Sequence, residues 1–178
     1  MVRDRHDVVG ALLVGGASTR FGSPKALARF EGETLAERGH RILMDAFGRA
    51  IVVGKSADEL DLPFSVLDDG TEVRAAIVGV AAALRHADAE TVVVVPTDMP
   101  FVTAELLRVL AEASAGAEVA VPQSGPLPGA YCRSALPVLE RRIAAGELAL
   151  YQACLELDMR MVQWDEEELR NVNTPADL

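Results

Sequence analysis

The chain has 178 residues, half of them hydrophobic and 25% charged, with a formal net charge of −10 at pH 7. That length suits one domain around a single substantial core. The negative charge argues against nucleic acid and anionic membranes as partners, since both need a basic footprint on the protein, and no apolar run approaches the roughly twenty residues that cross a bilayer.

In chain order, the opening MVRDRHDVV carries acidic residues and lacks the charged-then-apolar-then-small pattern of a secretory leader, which predicts a cytoplasmic protein. Val8–Val14 reads as a strand. It runs into LVGGASTRFGSPK, Leu13 to Lys25, where Gly15 and Gly16 let backbone N–H groups approach a ligand and Arg20 and Lys25 bring positive charge. Pro24 fixes φ beside Lys25. This is the composition of a phosphate cradle, although a glycine-rich turn with solvated cations is the plainer reading of the loop alone. It is not a P-loop, because Gly22 is followed by Ser23, Pro24 and Lys25, and G-x-G-x-x-G is absent.

Thr34 and Glu37 predict a capping box for a helix whose apolar face carries Leu35, Ile42, Leu43, Ala46 and Phe47 and whose C-cap is Gly48. A strand at Ile51–Val53 and a weaker one at Phe64–Leu67 precede an alanine-rich helix, Arg74–Ala87. VVVVP within Thr91–Pro96 reads as a strand buried on both faces. Thr103 caps a helix with Leu106, Leu107, Val109 and Leu110 that Gly116 ends, and strand Glu118–Pro122 follows. Helices Ser134–Ala145 and Leu148–Leu157 and a weaker strand, Met159–Gln163, complete the set. Asp165–Glu168 reads as a solvated edge. Strands alternating with helices predict an α/β fold with a mostly parallel sheet, in one domain.

In open α/β sheets ligands bind beyond the carboxyl ends of the strands, where the Gly15–Lys25 loop and Asp98, in PTDMPF, both fall. A carboxylate held rigidly between Pro96 and Pro100 suits Mg²⁺, which binds one or two carboxylates together with substrate phosphates. The alternative is that Asp98 caps the helix starting near Thr103. In NVNTPADL, Asn171 and Asn173 share one side of an extended segment, and Pro175 opens a final helix. Cys132 and Cys154 show no metal or redox spacing and read as reduced thiols, and the scattered His6, His40 and His86 form no zinc motif.

LVGGASTRFGSPK is similar to the L-A-G-G-x-S-x-R-M-G-x-x-K signature of the nucleotidyltransferases, and PTDMPFV to their metal-binding aspartate motif. With PLPGAY, RSALPVLERRIAAGE and NVNTPADL added, the chain most resembles the molybdenum cofactor guanylyltransferases, which join GMP to molybdopterin, from about Val8 to Leu178.

The resemblance implies a Rossmann-like three-layer α/β/α nucleotidyltransferase fold, GTP and molybdopterin as substrates, Mg²⁺ as cofactor, and protein partners in cofactor delivery. By position it implies that Leu13, Val14 and Gly15 read guanine, with Gly16 and Ser18 in the same nucleotide-binding loop, and that Lys25 binds the phosphates with Arg20 beside it. It makes Asp69 a nucleotide-binding residue, with Asp68 one register away, Asp98 the magnesium ligand, and Asn171 and Asn173 the closing residues near the acceptor. Gly54 stands where the family has an asparagine, and RAAIVGV, Arg74 to Val80, replaces its G-P-L-A-G turn. Both positions shape the base and ribose pocket in the family, which implies a narrowed preference for GTP. The competing readings are a cytidylyltransferase acting on the same cofactor, a sugar-phosphate nucleotidyltransferase, and a nucleotide-binding module without catalysis.

Overall fold

A computed structural model describes residues 7–15 and 24–178. Gly16, Ser18 and Arg20 of the glycine-rich loop, and His6, lie outside the described residues.

Val8–Leu13 forms β1, and the small hairpin of β2 (Arg29–Phe30) and β3 (Glu33–Thr34) leads into helix α1, Leu35–Phe47. Thr34 Oγ1 accepts the Glu37 N–H while the Glu37 carboxylate accepts the Thr34 N–H, and Gly48 closes the helix at φ +69°, a left-handed conformation that favours glycine. Next come β4 (Ala50–Gly54), β5 (Leu67–Asp68), α2 (Ala76–His86), β6 (Thr91–Pro96) and α3 (Ala104–Ala113). The remainder is β7 (Val119–Pro122), β8 (Gly129–Cys132), α4 (Leu136–Ala144), α5 (Leu150–Cys154) and β9 (Met159–Val162), and Pro175–Asp177 makes a single helical turn.

Among the described residues the main sheet has seven strands in the order β5-β4-β1-β6-β8-β7-β9. β1 pairs in parallel with β4 and β6, β4 with β5, and β7 with β9. β8 runs antiparallel to both β6 and β7. That strand was not among the expected elements: PLPGAY has the prolines and glycine of a turn, and Gly129–Cys132 becomes a strand only because β6 and β7 offer hydrogen-bonding edges on both sides. The weak strand expected at Phe64–Leu67 shrinks to Leu67–Asp68.

The strand period of two sorts the core into two layers. Val92 and Val94 of β6 pack with Val9, Ala11, Tyr131 and the inner faces of α2, α4 and α5. Val93 and Val95 pack with Leu12 and with Leu43, Leu106 and Leu110 of α1 and α3. The result is the expected three-layer α/β/α architecture, with β1 and β6 central and their carboxyl ends opening onto one edge.

Candidate active site

Lys25 starts a helical turn, Lys25–Leu27, directly after Pro24. Its ammonium donates to the Val172 carbonyl at 2.9 Å and stands 3.9 Å from Asp98 Oδ2. The Val172 N–H in turn donates to the Asp98 carbonyl at 2.7 Å, and Asn171 Nδ2 makes a longer 3.4 Å contact with Asp98 Oδ2. Lys25, the turn after β6 and the C-terminal segment therefore meet at one point, across 147 residues of sequence between Lys25 and Val172. Asn173 is exposed, and its backbone N–H goes to Asp177 Oδ2 at 2.9 Å.

Asp98 does not cap α3, because Thr103 Oγ1 accepts the Leu106 N–H there. Its Oδ1 is buried and has no hydrogen-bonding partner among the described residues. Burial pushes the carboxyl above its ordinary range, while the Lys25 ammonium pulls the other way. A buried carboxylate oxygen without a donor is costly, and its chemistry fits a cation. Among the described residues no group of three or more His, Cys, Asp or Glu gathers to hold a metal, so a cation here would share Asp98 with ligands supplied by the substrate.

Beside this point lies a cleft of about 270 Å³ whose lining includes Leu13, Gly15, Lys55, Asp69, Arg74 and Gly79. Gly54 is required in its wall: a Cβ there would stand 2.8 Å from Val14 Cγ2 and 3.1 Å from Val66 Cγ1. The neighbouring carboxylates separate cleanly. Asp68 is exposed and turned into its own loop, where the Ser56 N–H, Ser56 Oγ and Gly70 N–H hold its pKa at about 2. Asp69 is buried in the cleft and paired with Lys55.

Lys55 went unnoticed in the sequence, yet a lone cation one residue past β4, across from the acidic end of β5, was the available signal: Gly54 pairs with Asp68. Also unforeseen is a ladder beside Asp98. Arg170 lies 4.3 Å from the centre of the Phe101 ring, Phe101 meets Phe30 edge-on at 5.6 Å, and Arg38 covers Phe30 at 4.9 Å. It ties the turn after Asp98 to the segment that carries Asn171. Asp165–Glu168 is more than the solvated edge expected: Glu168 Oε2 accepts both Thr103 Oγ1 and Trp164 Nε1 at 2.8 Å, because the fold brings the end of β9 against the start of α3.

The family pattern described as MobA-like NTP transferase domain matches residues 10–160. A probable molybdenum cofactor guanylyltransferase of Pelotomaculum thermopropionicum is 32% identical, over 95% of this chain and 89% of its own. One of Opitutus terrae is 33% identical, over 96% and 92%. Among solved structures, molybdopterin-guanine dinucleotide biosynthesis protein A of Archaeoglobus fulgidus superposes with a TM-score of 0.79 at 28% identity, covering 95% of this chain and 94% of that one. A cytidylyltransferase of Thermus thermophilus, acting on 2-C-methyl-D-erythritol 4-phosphate, shares the fold at TM-score 0.70 and 20% identity, over 94% and 93%. With the pattern matched over most of its length and Lys25, Asp98 and Asn171 converging on one edge of the sheet, the chain belongs to the MobA-like NTP transferase family.

Proposed function

We propose that this nucleotidyltransferase moves GMP from GTP to the terminal phosphate of molybdopterin. A phosphate oxygen of the acceptor forms a bond to the α-phosphorus of GTP, the bond from that phosphorus to the bridging oxygen breaks, and pyrophosphate leaves with the electron pair. A phosphomonoester has a second pKa near ~6, so the nucleophile is already ionised at neutral pH and needs no general base. The demands on the protein are alignment and charge neutralisation.

The observation that carries this reading is the unpartnered Asp98 Oδ1 beside Lys25 at the carboxyl ends of β1 and β6. Lys25 supplies fixed positive charge to the phosphates. Asp98 is the residue that would hold Mg²⁺, and the bound ion would add Lewis-acid neutralisation of phosphate charge. Asn171, held next to Asp98, offers an uncharged amide to the acceptor side. Leu13 and Gly15 line the cleft in which the base would lie, and Asp69 sits at its polar end. Arg20, Gly16, Ser18 and Asn173 belong to the same proposal on the strength of the sequence resemblance. A cytoplasmic location fits the two buried thiols, Cys132 and Cys154, neither of which is in a disulfide, and protein partners in cofactor delivery are part of the same reading.

The test is pyrophosphate release with each nucleoside triphosphate and Mg²⁺, with and without molybdopterin. Release is expected with GTP and molybdopterin together. Preference for CTP would move the protein to the cytidylyl branch, and tight nucleotide binding without turnover would make it a binding module.

A further inference from the structure

Asn171 is brought to Asp98 by a stretch of chain with little regular structure. Residues 170–173 belong to no strand or helix, Asn171 is exposed, and its Nδ2 stands 3.4 Å from Asp98 Oδ2, a contact too long to hold the amide in place by itself. Two neighbours anchor the segment instead. Val172 is fully buried, and its N–H donates to the Asp98 carbonyl at 2.7 Å. Two residues earlier, the Arg170 guanidinium lies 4.3 Å from the centre of the Phe101 ring. Alternate side chains of an extended segment point to opposite sides, so Arg170 and Val172 grip the protein while Asn171 is left for the site. A single buried anchor fixes the depth of the chain, and a second is needed to fix its rotation.

We propose that Arg170 is a positioning residue for the acceptor step: clamped on Phe101, it sets the orientation of Asn171 beside Asp98 without touching either substrate. The inference rests on the guanylyl-transfer reading above. A planar guanidinium stacks on an aromatic face through both its charge and its shape. The ring beneath it is itself held. Phe101 directly follows Pro100 in the turn that carries Asp98, it meets Phe30 edge-on at 5.6 Å, and Arg38 covers Phe30 at 4.9 Å while its Nε donates to the Pro100 carbonyl at 2.8 Å. The other neighbour of Arg170 competes weakly. Glu167 Oε2 is 3.7 Å from Arg170 Nε, on a side chain that is 87% exposed, and ion pairs so open to water hold little. Asp98 and Asn171 are thus both located from one turn. Their separation stays fixed, which is what alignment of an acceptor phosphate against the α-phosphorus requires.

Steady-state turnover of GTP and molybdopterin with Mg²⁺, measured beside calorimetric GTP binding, separates positioning from direct contact and from general support. Arg170→Met is expected to lower kcat/KM for molybdopterin by about two- to thirtyfold, the worth of a cation–π contact, with GTP affinity unchanged. Phe101→Leu, which leaves the arginine in place, should reproduce that loss. The double variant should be no worse than the poorer single one, because both substitutions remove the same contact. A loss in Arg170→Met that Phe101→Leu does not share would overturn the proposal, since the arginine would then be gripping the acceptor itself. An equal fall in GTP affinity would also overturn it, as the mark of general support. If Phe101→Leu does not fold, hydrogen exchange of the Val172 amide decides: it should be faster in Arg170→Met, and an unchanged rate would rule the positioning role out. Wild-type protein that transfers no nucleotide to molybdopterin would remove the guanylyl-transfer reading and this proposal with it. Transfer by the wild type with an unmoved kcat/KM in Arg170→Met would remove this proposal alone.

Discussion

Asp98 and Lys25 are individually ordinary residues whose meaning comes from what each lacks or touches. Asp98 has one buried oxygen with no donor, so replacing the carboxylate by an amide removes the charge that would hold a cation while keeping the shape. Asp98→Asn is expected to keep a wild-type far-UV circular dichroism spectrum and lose Mg²⁺-dependent turnover; near-wild-type activity at limiting Mg²⁺ would rule out the metal role. Lys25→Ala should weaken GTP binding by about ten- to a hundredfold, the range for hydrogen bonds to charged groups, and guanosine binding much less. Calorimetry with both ligands separates this from collapse of the loop, in which both affinities fall together. Because Lys25 also holds the Val172 carbonyl, the variant should speed amide hydrogen exchange in the C-terminal segment. At position 54, alanine would drive a Cβ against Val14 and Val66. Overpacking of this kind costs about 1–3 kcal/mol, readable as a lowered urea midpoint in Gly54→Ala.

At the scale of elements, α1 is the part most fully written in local sequence. Its capping box, apolar face and terminal glycine all appear as expected, since each depends only on neighbours within four residues. The helix also carries a pH-sensitive contact. The His40 ring stacks on Phe64 with centroids 4.6 Å apart, and burial lowers its pKa below the ordinary value near 6.5. Above that value the imidazole is neutral in both states. As pH falls through about 6.5 the unfolded chain takes up the proton first, so stability falls with pH until the folded form is protonated as well. Urea midpoints measured between pH 7.5 and 5.5 should drop, and in His40→Phe that part of the drop should vanish. The strand β8 is the opposite case. Its four residues have no period of their own to declare, and they are a strand because β6 and β7 flank them.

For the whole molecule, the two apolar layers share the same strands, with alternate residues of β6 feeding each, so neither layer can be lost while the other stays intact. This predicts one cooperative unfolding transition in urea, with far-UV circular dichroism and the fluorescence of the single tryptophan, Trp164, tracing the same curve. Separate midpoints would mean that the β9 edge, where Trp164 binds Gln123 and Glu168, unfolds on its own.

The sequence by itself determined the α/β class, most of the helices and the central strands, because caps, periodicity and β-branched runs are local signals. It also pointed to Lys25 and Asp98, because strand ends in a parallel sheet gather at one edge and each follows a strand, whereas Asp69 and Asn171 were pointed to by the family resemblance. Only the tertiary structure decided which of two adjacent aspartates enters the cleft, that Asp98 keeps an unpartnered oxygen, that Glu168 joins β9 to α3, and that Lys55 is buried against Asp69. Each of those facts depends on a partner at least 14 residues away or on the exclusion of water by surrounding chain. Distance in sequence carries no record of either, since burial and pairing across the fold are set by how the sheet and its covering helices close together.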